Sequence, residues 1–266
     1  MSEFTEEARQ RITAMRDDGV LQSDAQALMR SSIAARYSYN FFWLGRPIIQ
    51  YPQDMVALQE LVWTIRPDLI IETGIAHGGS LILSASLLAL LDYCDAAEAG
   101  DVLDPRKPRR TVLGVDIDIR AHNREAIENH PLAGRIRMLQ GSSVDPAVVA
   151  EVAAAAAGRR VLLCLDSNHT HDHVLAELEA YAPLVSPGSY CIVFDSIVED
   201  LPADASGDRP WAPGNNPKTA LHEYLRRLDG EGRTAADGKP LRFAIDSEIE
   251  GKLLLSVAPD GYLRRI

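Results

Sequence analysis

The chain has 266 residues, 46% hydrophobic and 24% charged. These proportions exclude disorder, collagen and coiled coil as its main state, and at roughly 150 residues per domain they allow one large domain or two small ones. With 27 basic against 38 acidic side chains the net charge is −11, which opposes a nucleic-acid partner, since that binding relies on Lys and Arg against phosphate.

In chain order, the first 50 residues look helical but irregular and carry an aromatic cluster, Tyr37, Tyr39, Phe41, Phe42 and Trp43. They form an N-terminal segment, 1–50, ahead of a main domain, 51–266. The opening Met1-Ser-Glu-Phe-Thr-Glu-Glu lacks the basic and apolar regions of a secretion signal. From Asp54, the residues Met55, Val56, Leu58, Leu61, Val62 and Ile65 share one helical face, and Pro67 ends that helix. Leu69-Ile-Ile-Glu-Thr73 reads as a buried strand, followed by a glycine loop, Gly74 to Gly79, and a helix from Ser80. The apolar run Leu81 to Leu91 in that helix is shorter than the roughly 20 residues of a membrane span. Residues 95–110 read as an exposed insertion. Further strands are predicted at Val112–Asp116, Arg135–Leu139, Arg160–Asp166 and Tyr190–Asp195, separated by helices near 121–129, 146–157 and 171–184. Segment 199–217, rich in proline, is too long for an ordinary connection and reads as a lid or binding loop. A helix near 218–228 precedes two last strands, Leu241–Ile245 and Leu253–Val257, which read as a hairpin. The three spaced cysteines, Cys94, Cys164 and Cys191, fit reduced thiols of a cytoplasmic protein and not a disulfide or zinc framework. Strands alternating with helices predict an α/β fold: a mostly parallel, Rossmann-like sheet with helices on both faces and a C-terminal antiparallel hairpin.

Ligands of such sheets bind at the carboxyl ends of the strands. Four strands carry an acid there: Glu72, Asp116, Asp166 and Asp195. Any single one of them reads equally as a helix cap; four at one edge need cations or hydroxyls to offset repulsion and desolvation. The loop Glu72-Thr-Gly-Ile-Ala-His-Gly-Gly-Ser80 has Ala76 where the dinucleotide fingerprint has its middle glycine. With Asp116 placed for ribose hydroxyls, it favours an adenosyl ligand, and the terminal hairpin favours S-adenosylmethionine over NAD. The residues assigned to that ligand are Glu72, Thr73, Gly74, Ala76, Gly79, Ser80, Asp116, Ile117, Ser142, Ser143 and Asp166. The second cluster, Asp166-Ser-Asn-His-Thr-His-Asp-His173, fails the spacing of binuclear zinc hydrolases by one residue. Asp166 and Asp195 instead suit Mg²⁺, a hard cation, with His169 in the loop above. His171 and His173 read as ordinary polar residues of a helix start.

The stretches Arg66-Pro-Asp-Leu-Ile-Ile-Glu-Thr-Gly-Ile-Ala-His-Gly-Gly-Ser80 and Leu165-Asp-Ser-Asn-His169 resemble the family known as cephalosporin hydroxylases, which includes S-adenosylmethionine-dependent methyltransferases, and are similar to Mg²⁺-dependent sugar O-methyltransferases of natural-product pathways. The resemblance runs from about Gln53 to the C-terminus. It implies Asp166 as metal ligand and His169 as general base, a deoxysugar or glycoside acceptor, and homo-oligomers built through N-terminal segments. Relatives place two adjacent acids after the fifth strand; Phe194-Asp195-Ser196 offers only Asp195, leaving Ser196, water, Glu199 or Asp200 to complete a metal set. Tyr39, Phe42, Trp43 and the loop around Trp211, Asn215 and Asn216 are candidates for acceptor wall and lid. A small phenol or catechol acceptor, and a non-catalytic cofactor-binding partner of the same fold, are the competing readings.

Overall fold

The computed structural model describes residues 3–266; the first two residues of the 1–50 segment lie outside the described residues. Helices α1 (Glu3–Asp17) and α2 (Gly19–Ala34) open the chain, and the Asp18 carboxylate caps the second by accepting from the N–H groups of Val20 and Leu21. In the aromatic cluster that follows, Tyr37 and Tyr39 lie in a short 3-10 turn, Tyr37–Asn40, and Phe41, Phe42 and Trp43 are extended. Strands β1 (Phe41–Trp43) and β2 (Arg46–Ile48) form a hairpin in which Trp43 pairs with Arg46 across Leu44-Gly45, whose φ angles are 44° and 86°. Two left-handed residues suit the twist of a two-residue hairpin loop.

Next come α3 (Pro52–Ile65), β3 (Leu69–Thr73), α4 (Gly79–Ala99), β4 (Thr111–Asp116), α5 (Ala121–Glu128) and β5 (Ile136–Gln140). They are followed by α6 (Pro146–Ala156), β6 (Val161–Leu165), α7 (His171–Tyr181), β7 (Tyr190–Val193) and α8 (Pro217–Glu231), and then by β8 (Phe243–Ile245), α9 (Ser247–Leu253) and β9 (Tyr262–Arg265). The seven-stranded sheet runs β5-β4-β3-β6-β7-β9-β8, parallel through β7 and antiparallel at β7–β9 and β9–β8. The chain leaves β3 in one direction through β4 and β5, and returns on its other side through β6 and β7. This puts the topological switch point, where α/β sheets bind ligands, between the carboxyl ends of β3 and β6.

Side chains alternate between two cores. Ile70, Leu162, Cys164 and Ile192 face α3 and α4, whereas Leu69, Ile71, Leu163 and Leu165 face α6, α7 and α8. Helix α4 is 21 residues long and, by length and composition alone, apolar enough to cross a membrane, which the shorter run Leu81 to Leu91 does not suggest; more than half of it is buried. It absorbs residues 95–99 of the expected insertion, and the rest of that segment is mostly exposed. Its buried Asp92 pairs with Arg110 at 2.7 Å and Arg135 at 2.5 Å, tying the helix to β4 and β5.

The expected strand Leu253–Val257 is not one. Asp246 caps α9, which consumes Leu253, and Leu254 turns to φ 56°. The backbone beyond is held by a carboxylate instead of a ladder: Asp54 accepts from the Val257 N–H at 3.0 Å and the Ser256 hydroxyl at 2.7 Å. The antiparallel pair therefore forms between β8 and the last strand, β9.

Candidate functional site

The glycine loop leaves β3 through Gly74, whose φ is 89° and where a Cβ would overlap the Asp166 carbonyl. At the end of β4, Asp116 closes the loop: Oδ2 accepts from the Ile75 N–H at 2.8 Å and the Ala76 N–H at 3.2 Å, and Oδ1 from the Asp118 N–H at 3.0 Å. The carboxylate assigned to ribose thus also shapes the loop, and its remaining lone pairs are left for a ligand. Ile117 beside it is 72% exposed, an apolar side chain presented next to this edge. Gly79 starts α4 with Pro47 and Ile48 packed where a Cβ would stand. Ser142 and Ser143 follow β5, and Ser143 is bound by the His173 ring at 3.0 Å and by the Tyr181 hydroxyl.

Beside the loop lies a small cavity of about 20 Å³, partly open to solvent, lined by Gln50, Asp54, Glu72, Ser80, Asp166 and Phe194 among others. Glu72 sits on the β3 face toward α4 and accepts from Ser84. Burial pushes its carboxyl up to about 6 against the pull of the Ser84 and Ser80 hydroxyls. Asp54 is likewise pushed up to about 6 by burial, although Ser256, Tyr262 and Val257 all donate to it. Asp166 lies well above the usual carboxylate range, first through burial and then through the charges of Asp195, Glu72, Glu177 and Asp54. Gln50, 6% exposed, donates to Asp166 Oδ2 at 3.2 Å, and its own Oε1 has no partner. The cavity therefore gathers buried acids whose partners are hydroxyls and amides, together with an orphaned acceptor. Such a chamber suits a cationic ligand.

Past β6 and β7, Asp166, His169 and Asp195 bring one ligand atom each to within 4.8 Å of one another. His169 Nε2 stands 3.3 Å from Asp195 Oδ2, and its ring meets Trp211 edge-on at 4.8 Å between centroids. Asp195 reaches this position with φ 55°, a left-handed conformation that Asp tolerates better than most residues. Ser196 is engaged elsewhere: fully buried, its hydroxyl donates to the Pro259 carbonyl at 2.6 Å. Glu199 accepts from the Gly214 N–H and the Asn216 amide, and Asp200 pairs with Lys218 at 2.9 Å. Among the described residues, the side-chain atom grouped with the two aspartates is thus on His169, while Ser196, Glu199 and Asp200 are bonded to other partners.

The loop 199–217 is seated over the centre. Asn215 accepts from the His171 N–H, Asn216 caps α8, and Trp211 lies against His169. His171 contacts Thr219 and His173 contacts Ser143 and Glu177, the polar helix-start roles expected of them. Of the N-terminal aromatics, Trp43 donates to Ser86 on α4 at 3.0 Å, whereas Tyr39 and Phe42 are exposed. Gln50 and Asp54 are the site residues that the sequence reading does not single out. Asp54 left a signal, an acid at the start of an amphipathic helix; Gln50 left none.

The chain matches the Rhamnosyl O-methyltransferase/CmcI family over residues 35–266. It is 29% identical over 217 residues to the rhamnosyl O-methyltransferase of Mycobacterium tuberculosis, covering 80% of this chain and 73% of that protein. To the enzyme of the same name from Mycobacterium leprae it is 26% identical over 229 residues, covering 84% and 82%. Among solved structures, CmcI without ligand superposes with a TM-score of 0.53 at 17% identity, and CmcI with Mg and SAM with 0.51 at 18%, each over 86% of this chain and 77% of that one. At those identities the superpositions speak for the methyltransferase-type Rossmann-like sheet, and the sequence match carries the kinship. The chain belongs to the Rhamnosyl O-methyltransferase/CmcI family.

Proposed function

We propose that this protein is an S-adenosylmethionine-dependent O-methyltransferase that methylates a hydroxyl of a deoxysugar, either as a rhamnose-like nucleotide sugar or on a glycosylated natural product. The observation that carries the reading is the Asp166–His169–Asp195 cluster standing next to an acid-lined cavity at the switch point of the sheet, in a chain whose curated relatives are rhamnosyl O-methyltransferases.

Bound S-adenosylmethionine supplies an electrophilic methyl on a sulfonium, and a divalent ion supplies positive charge to acidify a sugar hydroxyl and align it. The residues fit both. Gln50 Oε1 is an unpaired buried acceptor and Glu72 a buried carboxyl, a pair suited to the ligand's ammonium. Asp116 would hold the ribose from β4, with Gly74, Ala76, Gly79 and Ser80 giving the backbone approach and Thr73, Ile117, Ser142 and Ser143 as further contacts. Asp166 and Asp195 would hold the cation, whose charge would offset the repulsion that raises Asp166. His169 Nε2 would take the proton of the acceptor hydroxyl, the group that would receive the methyl from the donor. Trp211, packed on His169, shields that proton transfer from water.

The closeness of His169 to both aspartates favours a second assignment, in which its Nε2 is the third metal ligand and no longer takes a proton. Metal affinity separates the two: His169→Ala binds Mn²⁺ or Mg²⁺ as well as wild type if His169 is the base, and more weakly if it is a ligand. The reaction itself is tested by incubating the chain with S-adenosylmethionine, Mg²⁺ and a panel of deoxysugar nucleotides, rhamnosides and catechols, with products read by mass. A methyl gained by sugars is the expected result. A methyl gained only by catechols overturns the acceptor class, and no consumption of the donor with any acceptor overturns the enzyme in favour of a non-catalytic partner.

A further inference from the structure

Ala76 is the one non-glycine residue of the cofactor loop in the left-handed region, at φ 45°. L-residues with a Cβ hold that conformation only where the surroundings impose it. Here both polar groups of its backbone are held. The N–H donates to Asp116 at 3.2 Å, and the carbonyl accepts from the Asn123 side chain of α5 at 2.9 Å. Asn123 is 2% exposed, and its Oδ1 accepts in turn from Arg46 Nη2 at 3.0 Å. The same guanidinium donates twice to the carbonyl of the next residue, His77, from Nε at 3.0 Å and Nη2 at 2.5 Å.

Arg46 belongs to β2, in the N-terminal hairpin, so one side chain bridges three segments distant in sequence. The hairpin is itself anchored against α4 and against the segment that follows α5. Trp43 donates to Ser86 on α4, the Leu44 carbonyl is bound by the His130 ring at 3.1 Å, and Pro47 and Ile48 pack so closely on Gly79 that a Cβ there would collide with them. A fork of guanidinium donors meeting a carbonyl and an amide is geometry that a lone ammonium does not reproduce.

We propose that this N-terminal hairpin is part of the cofactor site: Arg46, through Asn123 and the His77 carbonyl, is a positioning residue that keeps the Ala76 turn in the shape that receives the adenosyl ligand. The inference rests on the reading of this loop as the S-adenosylmethionine site. Without the latch, a turn carrying a Cβ relaxes toward right-handed conformations, and the fraction of molecules ready to bind falls, with apparent affinity falling by the same factor.

The test is calorimetric titration of the full chain with S-adenosylhomocysteine, with thermal unfolding followed in parallel. Arg46→Ala is expected to weaken binding about 10-fold and to raise KM for S-adenosylmethionine with little change in kcat at saturation. Asn123→Asp is the second variant. It keeps an acceptor for Arg46, loses the donor to Ala76, and is expected to act in the same direction. The Ala76→Gly background isolates positioning from general packing, because glycine adopts the left-handed shape unaided; there Arg46→Ala is expected to weaken binding about 3-fold or less. Equal losses in both backgrounds, or unchanged affinity in both single variants while wild type binds, overturn the latch and leave the cofactor reading standing. A wild-type chain that does not bind S-adenosylhomocysteine overturns the cofactor reading and the latch together.

Discussion

The glycine loop at β3 and the acidic centre at β6 and β7 lie at the same edge of one sheet and are built in opposite ways. In the loop, charge is satisfied within the protein: the Asp116 carboxylate receives three backbone N–H groups. At the centre it is not. Among the described residues, Asp166 has a single amide donor, from Gln50, and is raised by burial and by the charge of Asp195, and the Asp195 carboxylate, partly exposed, faces only His169 at 3.3 Å. Neighbouring carboxylates with so few donors suit a cation. Under the proposed function, the contrast teaches that the adenosyl side of the site is preformed and that the acceptor side awaits an ion.

The largest effect that can break this contrast is at His169. His169→Ala is expected to cut methyl transfer by about 10²-fold or more, the range that general bases contribute, with S-adenosylhomocysteine affinity nearly unchanged. Turnover close to wild type removes His169 from the chemistry. Asp116→Ala is expected to do the reverse, weakening the cofactor by about 10-fold or more through loss of both its ribose contact and the three loop N–H bonds it accepts. Unchanged cofactor affinity in that variant shows that the loop stands without it.

A smaller effect sharpens the account at Glu72. Its carboxyl titrates at about 6 in the fold, raised by burial from an ordinary 4.5. A raised acid binds its proton more tightly when folded, so its contribution to stability is whole below the unfolded value and is lost as pH rises through the folded one. Wild type is therefore expected to lose about 2 kcal/mol relative to Glu72→Gln between about pH 4 and pH 8. Denaturant unfolding of the two proteins across that range measures it, and a difference that does not change with pH contradicts the burial of an ionisable Glu72.

Most of the sheet was legible because buried parallel strands are short apolar runs bounded by turn residues, as in Leu69–Thr73 and Val161–Leu165. Loop glycines and the Asp166 to His169 spacing were legible for the same reason: the residues concerned are close in sequence. What was not legible depends on distant partners. The run Leu253–Val257 has strand composition, yet its Val257 N–H and Ser256 hydroxyl bond to Asp54, about 200 positions earlier. The aromatic cluster at 37–43 hid a hairpin whose sign was Gly45. Ser196 looked free to serve a metal because its partner, the Pro259 carbonyl, is brought up only by the packing of the C-terminal segment. Gln50 and Arg46 reach the site from the N-terminal segment, and nothing near them in sequence marks them for it.

The central claim is that cofactor binding is preformed and catalysis depends on an ion. It is tested most directly by titrating the wild-type chain with S-adenosylhomocysteine in Mg²⁺ and in EDTA, while following methyl transfer to a deoxysugar acceptor under both conditions. The account predicts the same S-adenosylhomocysteine affinity in the two buffers and methyl transfer only with the metal. Affinity that collapses in EDTA, or methyl transfer that persists in it, contradicts the account.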